Sequence, residues 1–94
     1  MSTLKTEKVK IPDYKTVLTK KAQKQLDKLS NDIAEIIFDS ILELEINPRP
    51  KGSKKLKGRD GFRIRVGSYR IIYKIFDKEL IIDVIAGGHR KDIY

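Results

Sequence analysis

Apolar residues change their spacing once along this chain. Between Thr19 and Ile46 they recur every three or four positions, and between Phe62 and Ala86 every second position. The first spacing predicts helices, and the second predicts strands with one buried face. Ala22, Leu26 and Leu29 lie at i, i+4 and i+7 behind Thr19, whose hydroxyl suits an N-cap. Ser30-Asn31-Asp32 ends that helix and caps a second. Along the second, Ile33, Ile36, Ile37, Ile41 and Leu44 form a stripe that Phe38 and Leu42 widen. Asn47-Pro48 stops it, because proline cannot continue a helix and disfavours helical backbone in its predecessor. Two helices joined by so few residues make an αα-hairpin. The stretch YKTVLT, residues 14–19, has the composition of a short strand.

Three strands are predicted over residues 62–66, 69–76 and 80–86, with turns at Gly67-Ser68 and Asp77-Lys78. Gly-X is a favoured two-residue hairpin loop. With both turns that short, one face carries the rows Phe62–Tyr73–Ile82, Ile64–Ile71–Val84 and Val66–Tyr69–Ala86, all apolar, aromatic or small. The other face carries Arg63–Ile72–Asp83 and Arg65–Arg70–Ile85. A one-residue slip would exchange the faces, so the apolar rows must pack on the helices. The expected fold is α+β: an N-terminal strand, an αα-hairpin, then a three-stranded antiparallel meander, with the helices on one face of a four-stranded sheet. Residues 1–13 read as a flexible, lysine-rich arm, and residues 14–94 as a single domain. The basic connection 49–61, with six Lys/Arg, is too short to separate two domains.

That register sets Arg65 directly opposite Arg70, and like charges so placed are destabilising. Surface charge that merely prevents aggregation does not need such a pair, and Lys or Glu would serve. A visiting anion would explain it, since guanidinium offers bidentate contact to phosphate oxygens. Composition agrees: 21 Lys+Arg against 13 Asp+Glu give a net charge of +8 on 94 residues. Such an excess suits nucleic acid or an acidic protein. The absence of cysteine excludes thiolate metal sites, redox motifs and disulfides, and fits a cytoplasmic protein. No apolar run is long enough for a membrane span, and the first ten residues lack the apolar core of a signal peptide.

The chain closes with GGHRKDIY, residues 87–94. His89, Arg90, Lys91 and Tyr94 leave the sheet at the end where Arg65 and Arg70 lie. An imidazole, a phenol and several guanidiniums suit RNA cleavage by its own 2′-hydroxyl. That reaction needs a base, cations for the crowded phosphorane, and an acid for the leaving 5′-oxygen. Asp13, Asp32, Asp39 and Asp83 are scattered, so paired-carboxylate and two-metal chemistry gain no support. Walker, GxGxxG, HExxH and serine-hydrolase patterns are absent, and no metal or cofactor is expected. Lys55, Lys57 and Arg59 extend the cationic track, a salt-sensitive and non-specific contribution.

The order strand–helix–helix–three strands, with KKLKG, SYRIIY and GGHRKDIY in their places, resembles the RelE/ParE superfamily of bacterial toxins over residues 14–94. It is nearer to RelE than to ParE. The resemblance implies a toxin of a type II toxin–antitoxin system, a ribosome-dependent endoribonuclease (mRNA interferase) that cuts mRNA in the 70S ribosomal A site and halts translation. It also implies a cognate acidic RelB-like antitoxin and a toxin–antitoxin hetero-oligomer. By the family pattern Arg70 contacts the scissile phosphate, Arg90 stabilises the transition state, and Tyr94 acts on the nucleotide by stacking or as base. Arg63 and Arg65 stand where relatives carry paired basic residues, usually lysines, and His89 stands at a position that is basic or histidine. Arginine at 63 and 65 argues against a base there, because guanidinium hardly deprotonates. Only three residues separate Arg90 from Tyr94, fewer than in well-known RelE proteins. The acid and base stay open among His89, Tyr94 and the lysines. A ParE-like chain would instead inhibit DNA gyrase by binding, without nuclease residues, and a plain RNA- or ribosome-binding module is a third reading.

Overall fold

The computed structural model describes residues 13–93. The expected arm therefore lies outside the described residues except for Asp13, and Tyr94 lies outside them too. Helix α1 (Lys20–Asp27) starts where Thr19 Oγ1 accepts the Ala22 N–H at 3.1 Å. Helix α2 (Asn31–Ile46) starts where the Ser30 hydroxyl accepts the Ile33 N–H. Asn47 is extended, with φ −138° and ψ 98°, and ends α2 ahead of Pro48.

The strands are β1 (Lys15–Leu18), β2 (Lys54–Lys55), β3 (Phe62–Val66), β4 (Tyr69–Phe76) and β5 (Ile81–His89), arranged β1-β5-β4-β3-β2. β1 runs parallel to β5, and the other neighbours are antiparallel. The α+β class, the helix pair and the meander stand as expected, and the two-residue β2 adds a fifth strand at the basic edge. The β3–β4 register is the expected one, with Phe62 opposite Tyr73, Ile64 opposite Ile71 and Arg65 opposite Arg70.

The β4–β5 register differs in two places. Phe76 pairs with Ile81, so the turn spans four residues instead of two. Asp77-Lys78 lacks the glycine that a two-residue hairpin loop favours, and the longer loop closes through a left-handed Leu80 at φ 57°. Asp77 is then clasped from both sides: Tyr14 Oη donates to Oδ1 at 2.7 Å and Arg49 Nη2 to Oδ2 at 2.9 Å. A second shift falls between Ile72 and Tyr73, where Tyr73 pairs with Val84 but Ile72 pairs with Ala86. Ile85 is the extra residue of a β-bulge. Its carbonyl accepts the Thr19 hydroxyl at 3.0 Å, where β1 ends and α1 begins.

The core joins Ala22 and Leu26 of α1 and Ile37, Ile41 and Leu44 of α2 to Ile64, Ile71, Tyr73, Ile82 and Val84 of the sheet. A helix lying on one sheet buries a single stripe. Ile37, Ile41 and Leu44 occupy that stripe, which leaves Ile36, Phe38 and Leu42 exposed, contrary to the broad stripe expected from sequence. The free edge of β1 is covered by α2, because Glu45 Oε2 accepts the Thr16 N–H at 2.9 Å. Beyond β1, the Gly87 N–H donates to Gln25 Oε1 at 3.0 Å, so α1 covers β5 there.

Candidate nucleic-acid interface

The bulge at Ile85 decides which side chains meet on the face away from the helices. Past it, the alternation on β5 reverses relative to β4. Gly87 falls on the helix side beneath Leu26, where an added Cβ would sit 3.1 Å from Leu26 Cδ2. Ala86 moves out to stand beside Ile72, correcting its expected core position. Gly88 rather than Ile85 stands opposite Arg70, and the strand runs on through both glycines to His89. The outer rows therefore read Lys54–Arg63–Ile72–Ala86 and Arg65–Arg70–Gly88. Asp83 pairs with Lys74, so it does not share a row with Arg63.

Arg70 was expected to be exposed on this face, yet it is only 5% exposed. It remains on the face away from the helices, since Tyr69, Ile71 and Tyr73 are the β4 residues that join the core. One Nη donates to the Tyr69 carbonyl at 3.3 Å, and Nε is buried without a hydrogen-bond partner. Among the described residues no carboxylate pairs with it. Arg65 beside it is exposed, which lets water screen the like-charge contact.

Arg70 lines a concavity of about 380 Å³ together with Arg65, Arg90, Lys91, His89 and the Gly67-Ser68 turn. Helix α3 (Arg90–Ile93) begins at its rim, anchored by the Arg90 N–H donating to the Ser68 carbonyl at 3.0 Å. His89 packs edge-on against Tyr69 with centroids 5.5 Å apart. Its Nδ1 accepts the Lys91 N–H at 3.2 Å. A neutral His89 ring therefore carries its proton on Nε2, as a donor.

The remaining expected site residues divide. Arg63 is half-buried on the same face. Lys57 and Arg59 are exposed on the connection before β3. Lys55 pairs with Phe62, whose ring joins the core, so its register position is on the helix side and not on the cationic face. Lys54 takes that place in the row of Arg63. Sequence reading passed it over because β2 is too short to show a period. The groups with displaced titration lie behind the face, in the scaffold. Burial pushes the Tyr73 phenol up to about 12, and its hydroxyl donates to the Pro48 carbonyl at 2.8 Å. Hydrogen bonds from Arg49 and then Tyr14 hold the Asp77 carboxyl below its usual range, and Asp77 in turn raises Tyr14.

A family model for the ParE toxin of type II toxin–antitoxin systems, parDE, matches residues 16–94. The chain belongs to this family. The ParE-family toxin is also 27% identical over 73 residues to the mRNA interferase toxin RelE of Escherichia coli K12, covering 76% of this chain and 77% of that protein. Its fold matches the toxin–antitoxin complex RelBE2 of Mycobacterium tuberculosis with a TM-score of 0.73 at 27% identity, covering 85% of this chain and 100% of that one. The intact E. coli RelBE complex matches with a TM-score of 0.72 at 28% identity, covering 81% and 95%. This is a type II toxin related to the RelE mRNA interferases.

Proposed function

We propose that this toxin is an endoribonuclease that cleaves mRNA in the ribosomal A site and so stops translation. The observation that carries the reading is Arg70: a buried guanidinium with an unpaired Nε on the floor of a concavity ringed by Arg65, Arg90 and Lys91. Fixed donors in a largely dry setting stabilise developing anionic charge strongly, because they need no reorganisation when it appears. Kinship with proteins named mRNA interferase supports the same reading.

In this scheme Arg70 and Arg90 hold the non-bridging oxygens of the scissile phosphate, and Arg63, Arg65 and Lys91 hold the flanking backbone. The 2′-oxygen attacks phosphorus, its proton passes to a base, and the bond to the 5′-oxygen breaks. The products are a 2′,3′-cyclic phosphate and a 5′-hydroxyl. His89 in its protonated form is the candidate acid, passing its Nε2 proton to the leaving 5′-oxygen and becoming a neutral ring. Tyr94 and the lysines of the face are the candidates for the base. Guanidiniums carry the charge stabilisation, so the scheme needs no metal ion. Outside catalysis the face, on a chain of net charge +8, suits an acidic RelB-like antitoxin in a cytoplasmic hetero-oligomer.

Mapping mRNA ends after induction tests the reading. Cuts within codons that leave 5′-hydroxyl ends, lost in Arg70→Ala and Arg90→Ala, are expected. The family model carries the ParE name, which makes gyrase inhibition by binding the specific rival. Intact mRNA with arrested DNA replication would overturn the nuclease in its favour.

A further inference from the structure

Helix α2 carries Asp32, Glu35, Asp39, Glu43 and Glu45 and no lysine or arginine, on a chain of net charge +8. Its last turn has no basic residue, so Glu43 and Glu45 stand at the negative end of the helix with no cation of the helix to offset them. Phe38, Leu42 and Ile46 follow one another at i, i+4 and i+8, turned from the core and 39%, 55% and 38% exposed. The Glu35, Asp39 and Glu43 carboxylates beside this ridge are exposed as well. An apolar ridge among carboxylates suits a segment that brings aliphatic side chains and cations together.

Residues 1–12 have that composition: Val9 and Ile11 alternate with Lys8 and Lys10, and Lys5 lies further out. They join the described residues beside the ridge. The Asp13 and Tyr14 N–H groups both donate to the Glu45 carbonyl at 3.1 Å, one residue from Ile46. We propose that this N-terminal segment docks on the outer face of α2, with Val9 and Ile11 on the ridge and Lys8 and Lys10 at Asp39 and Glu43. Its reach of about 40 Å when extended exceeds the roughly 24 Å length of the helix. Alternate residues of an extended segment are about 7 Å apart, and helix positions four apart are about 6 Å apart. Val9 and Ile11 therefore match neighbouring steps of the ridge. Lysine stems lie along apolar surface while the ammonium group reaches a carboxylate, and a cation near Glu43 also offsets the helix dipole. The docking is independent of the nuclease, because α2 lies on the side of the sheet away from Arg70. It also keeps the lysines of the segment off the RNA face.

The test uses the full chain with labelled isoleucine, leucine and valine methyls. Nuclear Overhauser contacts should join the Val9 and Ile11 methyls to those of Leu42 and Ile46, whatever the protein concentration. Trypsin, read by mass spectrometry, should cut after Lys8 and Lys10 slowly in the wild type. In Leu42→Glu it should cut there faster by about tenfold, the equivalent of about two buried methylenes. Lys8→Glu with Lys10→Glu, outside the folded domain, should free the segment in the same way, and adding Asp39→Lys with Glu43→Lys should restore its protection. Absent contacts, with cleavage as fast in the wild type as in Leu42→Glu, would overturn the docking. Contacts that grow with concentration while light scattering gives a doubled mass would assign the ridge to a second copy and overturn it too. So would ridge methyls that shift only when the coexpressed antitoxin is present. None of these readouts involves RNA, so the nuclease stands or falls separately.

Discussion

Replacing Arg70 by methionine should abolish toxicity and leave the fold at least as stable as before. Arg70 is 5% exposed, and among the described residues its Nε has no partner and its guanidinium makes one hydrogen bond, to the carbonyl of the preceding residue at 3.3 Å. Withdrawing a cation from water costs several kcal/mol in a real protein, on the order of what a buried ion needs a good partner to offset. A single hydrogen bond from a charged group returns about 1.5–3 kcal/mol. Arginine stays protonated at any ordinary pH, so it cannot escape by losing its charge. Methionine keeps the aliphatic stem and removes the burden. The expected change therefore lies between neutral and about 2 kcal/mol in favour of the folded state. Each kcal/mol gained should raise Tm by about 4–8 °C in a domain of this size. Urea titrations followed by circular dichroism give the free energy by linear extrapolation, and mRNA end mapping gives the activity. A variant destabilised by more than about 1 kcal/mol would mean that the guanidinium is well compensated in the fold. A variant that still cuts would refute the catalytic assignment.

Three further outcomes test the scaffold. Tyr73→Phe leaves the buried Pro48 carbonyl without its donor and should cost about 1–3 kcal/mol in urea titrations at neutral pH. Because burial raises the Tyr73 phenol to about 12, the wild type should also lose stability as pH rises from about 10, where the unfolded chain ionises first, and the phenylalanine variant should not. Asp77 is held below its usual range, so its contribution is full above about pH 4 and fades as pH falls through the folded value. The gap between wild type and Asp77→Asn in urea midpoint should close in acid, and a constant gap would contradict the clasp. Gly87→Val should cost about 1–3 kcal/mol by crowding Leu26, and less in a Leu26→Ala background, as a double-mutant cycle would read.

The amino-acid sequence by itself determined the helix caps at Thr19 and Ser30, the stop at Asn47-Pro48, the α+β order and the β3–β4 pairing. Each rests on local chemistry: a hydroxyl for free N–H groups, a proline, a Gly-Ser turn, an alternation of period two. It also brought Arg65 beside Arg70 and grouped the basic tail near them. The tertiary structure alone decided the β4–β5 register, because that depends on Tyr14 and Arg49 closing around Asp77 from distant parts of the chain. The bulge at Ile85, which sets Gly88 opposite Arg70 and Ala86 beside Ile72, lies where the Thr19 hydroxyl donates to the Ile85 carbonyl and Leu26 of α1 lies over Gly87. Burial of Arg70 and the promotion of Lys54 over Lys55 follow from contacts between strands. Periodicity assigns a residue to a face, but only neighbours from elsewhere in the chain decide how deep it sits.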